Sequence, residues 1–99
     1  MQAIFSRLAE CDLEEIADYI AADNPRRALT FLRELRAHCV RIASAPLAWP
    51  ARPQLGVDIR SSAFGRYVVF FRAGAAHILI VRILHGARDM ATLFEDVRD

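Results

Sequence analysis

The sequence predicts an α+β fold in which an N-terminal strand and an antiparallel helical hairpin pack on an antiparallel β-meander, followed by a short C-terminal helix. Apolar residues recur at helical spacing through most of residues 8–44, which indicates two amphipathic helices. Residues 57–85 are instead rich in β-branched and aromatic residues, with turn residues between the runs. The 99 residues fall within the usual size of one domain, so we expect a single domain over residues 1–99.

The first half of the chain predicts the strand and the hairpin. The opening QAIFS is typical of a short strand with a polar exit. Leu8 to Ala22 are expected to form an amphipathic helix, because their apolar side chains follow the i, i+3, i+4, i+7 spacing of one face. Asn24 is a natural N-cap and Pro25 suits the first helical position, so a second helix should run to about Ser44. So short a connection makes the helices antiparallel neighbours.

A proline-rich crossing should join the hairpin to the meander. The stretch APLAWPARPQ, Ala45 to Gln54, holds three of the four prolines, which predicts an ordered surface loop with Trp49 closing over the core. Three strand-like runs follow, VDIRS, RYVVFFR and HILIVRIL, with AGAA as a hairpin turn between the last two. Asp89 to Val97 again shows helical spacing and predicts the C-terminal helix.

Side-chain alternation in the last strand predicts which face is covered. Leu79, Val81 and Ile83 would share one all-apolar face, whereas Arg82 would lie on the mixed face. The helical hairpin is expected to cover the all-apolar face. Arg82, and with it Arg66, is therefore expected to face solvent or a partner.

The net charge of +1 hides an uneven distribution. Residues 1–49 carry six arginines and seven acids, residues 50–88 carry six arginines and one acid, and residues 89–99 carry one arginine and four acids. The three segments thus carry −1, +5 and −3. The basic block, residues 50–88, favours an anionic partner, either a nucleic acid or an acidic peptide.

Several classes of protein and site are not indicated. The longest uncharged apolar run, Ala73 to Val81, is far shorter than the ~20 residues that span a bilayer, so we expect a soluble cytoplasmic protein. Cys11 and Cys39 have no CxxC or Cys/His cluster around them, so no metal site or disulfide framework is expected, and no cofactor motif is present. His38 and His77 are expected to be solvated or locally hydrogen-bonded.

Four segments of the chain, taken together, resemble one known family. In order they are DLEEIADYIAADNPRRA, RPQLG, IRSSAFGRYVVFFR and IVRILHGARD. They closely resemble the ParE toxins of bacterial toxin–antitoxin pairs, within the wider RelE/ParE superfamily, over about Leu8 to Phe94. The resemblance implies a RelE/ParE-like fold and a toxin that is neutralised by a ParD-type antitoxin.

The superfamily contains two activities. RelE-like members are ribosome-dependent mRNA endoribonucleases, whereas ParE-like members are associated with poisoning of DNA gyrase. By the resemblance, Arg66 and Arg88 retain two arginines of the ribonucleases, while Gly56 and Asp58 stand where lysines would be and Phe94 replaces a tyrosine. Glycine and phenylalanine cannot transfer protons, and an aspartate would repel the scissile phosphate. The resemblance therefore favours a gyrase inhibitor without catalytic residues.

The predicted target-binding surface is the exit of the last strand together with the C-terminal helix. It comprises Arg66, Arg82, His85, Arg88, Leu93 and Phe94. An alternative stays open, because imidazole can transfer protons near neutral pH and an endoribonuclease could use Arg66, His85 and Arg88. A third possibility is a toxin fold kept only as an antitoxin-binding module or as an inactive toxin. Sequence-specific nucleic-acid binding and membrane contact are not expected.

The resemblance implies that the ParD-type antitoxin is dimeric, with a DNA-binding N-terminal half and a C-terminal segment that wraps around this protein. A disordered acidic, amphipathic segment could fold onto the groove beside the helical hairpin and form ion pairs with arginines. The candidate anchors are Leu29, Leu32, Arg33, Arg36 and Arg60. These side chains fit a core or a solvated face equally well.

Overall fold

The structure, a computed structural model, describes residues 1–86 and places two helices on one face of a four-stranded mixed sheet. The elements in chain order are β1 (Gln2–Phe5), α1 (Arg7–Ala21), α2 (Pro25–Ser44), β2 (Ile59–Phe64), β3 (Tyr67–Ala73) and β4 (His77–His85). Short 3-10 turns at Pro46–Ala48 and Pro53–Leu55 lie between α2 and β2. The predicted helix over Asp89 to Val97 lies outside the described residues.

Both helices begin at the side-chain caps that satisfy their first backbone N–H groups. Ser6 Oγ accepts from the Ala9 N–H at 3.0 Å, and Asn24 Oδ1 accepts from the Arg27 N–H at 3.0 Å. Pro25 occupies the first turn of α2, as predicted. The predicted helical hairpin is confirmed, with α1 displaced by one residue at each end from the sequence prediction.

The predicted meander is confirmed, and β1 turns it into a mixed sheet. The strand order is β1-β4-β3-β2, with β2, β3 and β4 antiparallel and β1 parallel to β4. Gly65, at φ +58, allows the tight turn between β2 and β3. Because β1 ends at Phe5, no strand within residues 1–86 pairs with the following half of β4 on that edge.

The predicted alternation in β4 is wrong, because a β-bulge interrupts it. Phe70 pairs with Arg82 and Phe71 pairs with Ile80, so Val81 is an extra residue without an opposite partner. An extra residue switches the faces to which the following side chains point. The helices consequently cover the side chains of Ile78, Ile80 and Ile83 rather than those of Leu79, Val81 and Ile83.

The main core lies between the helices and this face of the sheet. Its buried members include Leu13, Ile16, Leu35, Ile42, Val69, Phe71 and Ile80. A smaller apolar cluster, formed by Ile59, Phe70 and Leu84, lies on the opposite face and is partly covered by Leu55. Neither helix within residues 1–86 is long and apolar enough to cross a membrane.

The crossing between α2 and β2, residues 45–58, forms an ordered segment that we call the Trp49 loop. Trp49 is half-buried against the main core, which confirms its predicted position. His38 is not solvated, contrary to the prediction: it is 8% exposed, and its Nε2 lies 2.7 Å from Ser62 Oγ. The prediction failed because the hydrogen-bond partner comes from a strand 24 residues away along the chain. His77, at the start of β4, is exposed as expected.

Candidate functional site

The end of β4 and the turn between β2 and β3 form one surface, which we call the strand exit. The Gly86 N–H donates to the carbonyl oxygen of Arg66 at 2.8 Å, and Tyr67 pairs with His85 across the two strands. The side chain of Arg66 is exposed. The structure therefore brings together Arg66 and His85, two residues that the sequence placed in the same candidate site.

The imidazole of His85 is held by an aromatic neighbour. Its ring stands edge-on to the ring of Tyr67, with the centroids 5.4 Å apart. Tyr67 is 7% exposed and contacts Phe31 at 5.6 Å between centroids, so it belongs to the main core. Edge-on packing favours a fixed ring orientation. His85 is thus a half-buried group anchored to the core at the border of the sheet.

This contact ends a continuous row of rings across the helix-covered face of the sheet. Successive centroids lie 5.0–5.7 Å apart. The row runs through Trp49, His38, Phe64, Phe31, Tyr67 and His85. It joins the Trp49 loop to the strand exit by a continuous series of ring contacts.

Arg82 does not point freely toward solvent as predicted. Its Nε and NH2 each donate to a carboxylate oxygen of Asp12 at 2.9 Å, and its side chain is 34% exposed. Asp12 Oδ2 also accepts from the Ile83 N–H at 2.9 Å. The bulge and this bidentate ion pair turn the guanidinium toward α1.

Asp12 and Ser6 are residues that the sequence reasoning missed. Ser6 Oγ donates to the carbonyl of Val81 at 2.8 Å, and the Ser6 N–H donates to the carbonyl of Ile80 at 2.9 Å. Together with Asp12, Ser6 provides hydrogen-bond partners for the backbone groups of β4 beyond the end of β1. The available signal was an acid at position 12 within the apolar stripe that contains Ala9, Leu13 and Ile16.

The other predicted target-binding residues, Arg88, Leu93 and Phe94, lie outside the described residues. Gly56 and Asp58, which correspond by resemblance to ribonuclease lysines, lie in the Trp49 loop before β2 rather than on a strand. Asp58 is exposed and adopts a left-handed conformation at φ 61. The described part of the site thus offers the imidazole of His85 and the guanidinium groups of Arg66 and Arg82, the latter bound to Asp12, but no amine at positions 56 and 58.

Three arginines of the basic block brace the Trp49 loop. Arg52 Nε donates to Ser61 Oγ at 2.8 Å, Arg60 NH1 donates to the Trp49 carbonyl at 2.6 Å, and Arg72 Nε donates to the Val57 carbonyl at 3.1 Å. These acceptors are neutral, and within residues 1–86 none of the three arginines forms an ion pair with a carboxylate. The basic block therefore contributes both structure and a positive potential.

Four of the five predicted antitoxin anchors lie along one stripe of α2. Leu29 is 62% exposed and Arg33 is exposed, whereas Leu32 packs partly against the main core. Arg36 is exposed, with its guanidinium carbon 5.0 Å from the centroid of the Phe5 ring. We call Leu29, Leu32, Arg33 and Arg36 the α2 stripe.

Arg60 does not lie with the α2 stripe. It belongs to β2, whereas Arg36 lies over β1, and these are the two opposite edge strands of the sheet. With strands about 4.8 Å apart, three strand spacings separate β1 from β2. One compact groove therefore does not hold all five predicted anchors.

Comparisons with known proteins agree with this architecture. A sequence profile described as "ParE toxin of type II toxin-antitoxin system, parDE" matches residues 3–90. A solved structure from P. aeruginosa, described as a chromosomal ParDE toxin–antitoxin system, is similar to this chain, with a TM-score of 0.72 and 23% sequence identity. The similarity covers 86% of this chain and 95% of that chain. No curated protein sequence matches significantly. The profile match over most of the sequence shows that the chain belongs to the family of ParE toxins of type II toxin–antitoxin systems.

Proposed function

We propose that the chain is a toxin that arrests DNA gyrase by binding, without cutting nucleic acid itself. Membership of the ParE family supports a toxin role. The strand exit supports a binding surface, since it combines the exposed guanidinium of Arg66 with the core-anchored ring of His85. Leu93 and Phe94 of the C-terminal segment complete this surface in our proposal.

The proposal rests mainly on Gly56 and Asp58, which stand where the ribonucleases have lysines and cannot supply the chemistry of RNA cleavage. Cleavage of RNA through its own 2′-hydroxyl needs a group to activate the hydroxyl and an acid for the leaving oxygen. Gly56 has no side chain to do so, and Asp58 would bring a negative charge toward the phosphate. The exposed Arg66 can still form ion pairs with an anionic surface of a target protein or its bound DNA.

The direct test is the accumulation of stalled gyrase–DNA complexes. Purified toxin is incubated with gyrase and supercoiled plasmid, the protein is then denatured, and the linear DNA released from trapped complexes is measured. The proposal predicts linear DNA that increases with toxin concentration. An unchanged amount of linear DNA at a large excess of toxin would rule out gyrase poisoning.

A second candidate function is a ribosome-dependent mRNA endoribonuclease. It is favoured by one observation, the adjacency of Arg66 and His85 at the strand exit, to which Arg88 would be added. Primer extension on translated mRNA distinguishes the two functions. Discrete cleavages that disappear in both His85→Ala and Arg66→Ala would favour the ribonuclease.

We further propose that a ParD-type antitoxin neutralises this protein by covering the α2 stripe. The stripe alternates an exposed apolar side chain, Leu29, with the exposed guanidinium groups of Arg33 and Arg36. Such a surface suits an acidic, amphipathic segment that folds as it binds. Limited proteolysis with and without the neighbouring gene's product tests the complex, and equal cutting rates would count against it.

A further inference from the structure

His38 connects three parts of the fold. Its ring lies between Trp49, at 5.7 Å, and Phe64, at 5.0 Å between centroids. Its Nε2 lies 2.7 Å from the hydroxyl of Ser62, and both residues are buried. The helix α2, the strand β2 and the Trp49 loop therefore meet at one imidazole.

The Trp49 loop covers the outer edge of β2. The Arg52 N–H donates to the carbonyl of Ile59 at 2.7 Å, and the Ser61 N–H donates to the carbonyl of Pro50 at 3.1 Å. Because β2 is an edge strand, its backbone groups would otherwise be open to pairing with another strand. The loop thus occupies the position that an added strand would take.

The attachment of Trp49 itself to the main core depends on few contacts. Trp49 packs its ring against the core, and Arg60 NH1 donates to its carbonyl at 2.6 Å. The indole Nε1 of Trp49 is buried without a hydrogen-bond partner among the described residues. An unsatisfied buried donor disfavours the docked state. Ring contacts, including that with His38, therefore carry much of the docking at this point.

We propose that His38 is a pH-sensitive clasp: its neutral ring holds the Trp49 loop on the sheet, and its protonation loosens the loop and uncovers the outer edge of β2. A neutral imidazole can accept a hydrogen bond from the Ser62 hydroxyl or donate one to it. An imidazolium can only donate, and it adds a charge to a site surrounded by aromatic rings.

The charged groups around His38 disfavour its protonated form. Arg41 lies on the same helix, and Arg60 lies on the face of β2 that also carries Ser62. The charged residues of the loop give no compensation, because Arg52 is itself a cation and the exposed Asp58 forms no ion pair with His38. No carboxylate among residues 1–86 forms an ion pair with His38.

The direction of the pH effect follows from this environment. Burial, and to a lesser extent the charge of Arg41, lower the pKa of His38 from its usual value of 6.5. With the loop released, the ring would bind a proton near pH 6.5, whereas with the loop docked it stays neutral to lower pH. The neutral ring makes its full contribution to docking of the Trp49 loop above pH 6.5. This contribution is lost as the pH falls toward the lowered pKa. One linked proton changes the opening equilibrium by at most about tenfold per pH unit.

Trp49 is the single tryptophan of the chain and reports on the loop directly. Its emission wavelength would be followed from pH 7.5 to pH 5 in the wild-type protein, in His38→Gln and in the control His77→Gln, which changes an exposed histidine. The wild type and the control are expected to shift to longer wavelength below pH 6.5. His38→Gln, which keeps a hydrogen-bonding group but does not titrate, is expected to show no shift.

Amide exchange in the wild-type protein gives a second measurement that needs no variant. The amides of Arg52 and Ser61 join the loop to β2, so their protection factors should fall by up to about tenfold per pH unit below pH 6.5, relative to the amides of β3. Unchanged relative protection and unchanged Trp49 emission down to pH 5 would overturn the proposal. An identical emission shift in His38→Gln would also overturn it.

Discussion

Asp12 and Arg82 form a bidentate ion pair, with both nitrogen–oxygen distances at 2.9 Å, that fastens α1 to the bulge of β4. The same carboxylate accepts a hydrogen bond from the Ile83 N–H, so it binds both the Arg82 side chain and a backbone N–H group of β4. The pair joins residues 70 positions apart in the sequence. The pair therefore ties the first helix to the last strand, three residues before His85 of the strand exit.

Asp12→Ala should strongly destabilise the fold, because it removes the carboxylate that accepts hydrogen bonds from the Arg82 guanidinium and the Ile83 N–H. We expect a loss of about 2–4 kcal/mol in the free energy of unfolding, less than for a fully buried pair since Arg82 is 34% exposed. Urea denaturation provides the measurement. Asp18→Ala, which removes an exposed acid from the same helix, is the control. Similar losses for the two variants would contradict this account of Asp12.

Ser6→Ala should cost more stability than Asn24→Ala. Both substitutions remove a helix cap, which is worth about 1 kcal/mol. Ser6 also donates a hydrogen bond to the carbonyl of Val81, and losing this bond should lower the free energy of unfolding by about 1 kcal/mol more. Thermal or urea unfolding of the two variants under the same conditions compares them. Equal losses would mean that the bond to β4 contributes nothing.

The two cysteines should react with thiol reagents very differently. Cys11 is exposed, whereas Cys39 is buried, and burial raises the pKa of the Cys39 thiol to about 11 despite the opposing charge of Arg36. A thiol with so high a pKa is almost entirely protonated at pH 8 and reacts slowly. Alkylation at pH 8, followed by mass spectrometry, should modify one thiol in the folded protein and two in denaturant. Rapid modification of Cys39 in the folded protein would contradict this prediction.

Arg33→Glu should weaken antitoxin binding without unfolding the toxin. Arg33 is exposed on the α2 stripe, so reversing its charge should repel an acidic antitoxin segment while leaving the core unchanged. We expect at least about a tenfold loss of affinity, equivalent to about 1.4 kcal/mol. Titration calorimetry with the neighbouring gene's product measures it. Arg7→Glu, at an exposed position in the first turn of α1, is the control and should bind almost normally.

The elements of this fold could be predicted because their signals are local. Asn24 and Pro25 mark the start of α2 within a few residues, and the AGAA stretch separates the two runs of strand-forming residues that become β3 and β4. Because the connections between these elements are short, the helices and strands can pack together in only a few ways. The family resemblance pointed to the same architecture.

The details of the candidate site could not be predicted, because they depend on contacts between distant segments. A single extra residue at Val81 reverses the alternation of β4, and the sequence of β4 contains no glycine or proline that marks the bulge. Asp12 stands out as an acid within the apolar stripe of α1, but only tertiary structure shows that Arg82 is its partner. His38 is buried for the same reason, since its partner Ser62 belongs to another element.

The central claim is that the strand exit binds gyrase through Arg66, and the most direct measurement is a dose series of toxin in a plasmid supercoiling reaction with purified gyrase. The wild-type protein and Arg41→Ala, which changes an exposed arginine in the last turn of α2, should inhibit supercoiling equally. Arg66→Ala should need at least about tenfold more protein for the same inhibition, the effect of losing about 1.4 kcal/mol of binding. Supercoiling that continues unchanged at excess wild-type toxin, or equal inhibition by wild type and Arg66→Ala, would contradict the claim.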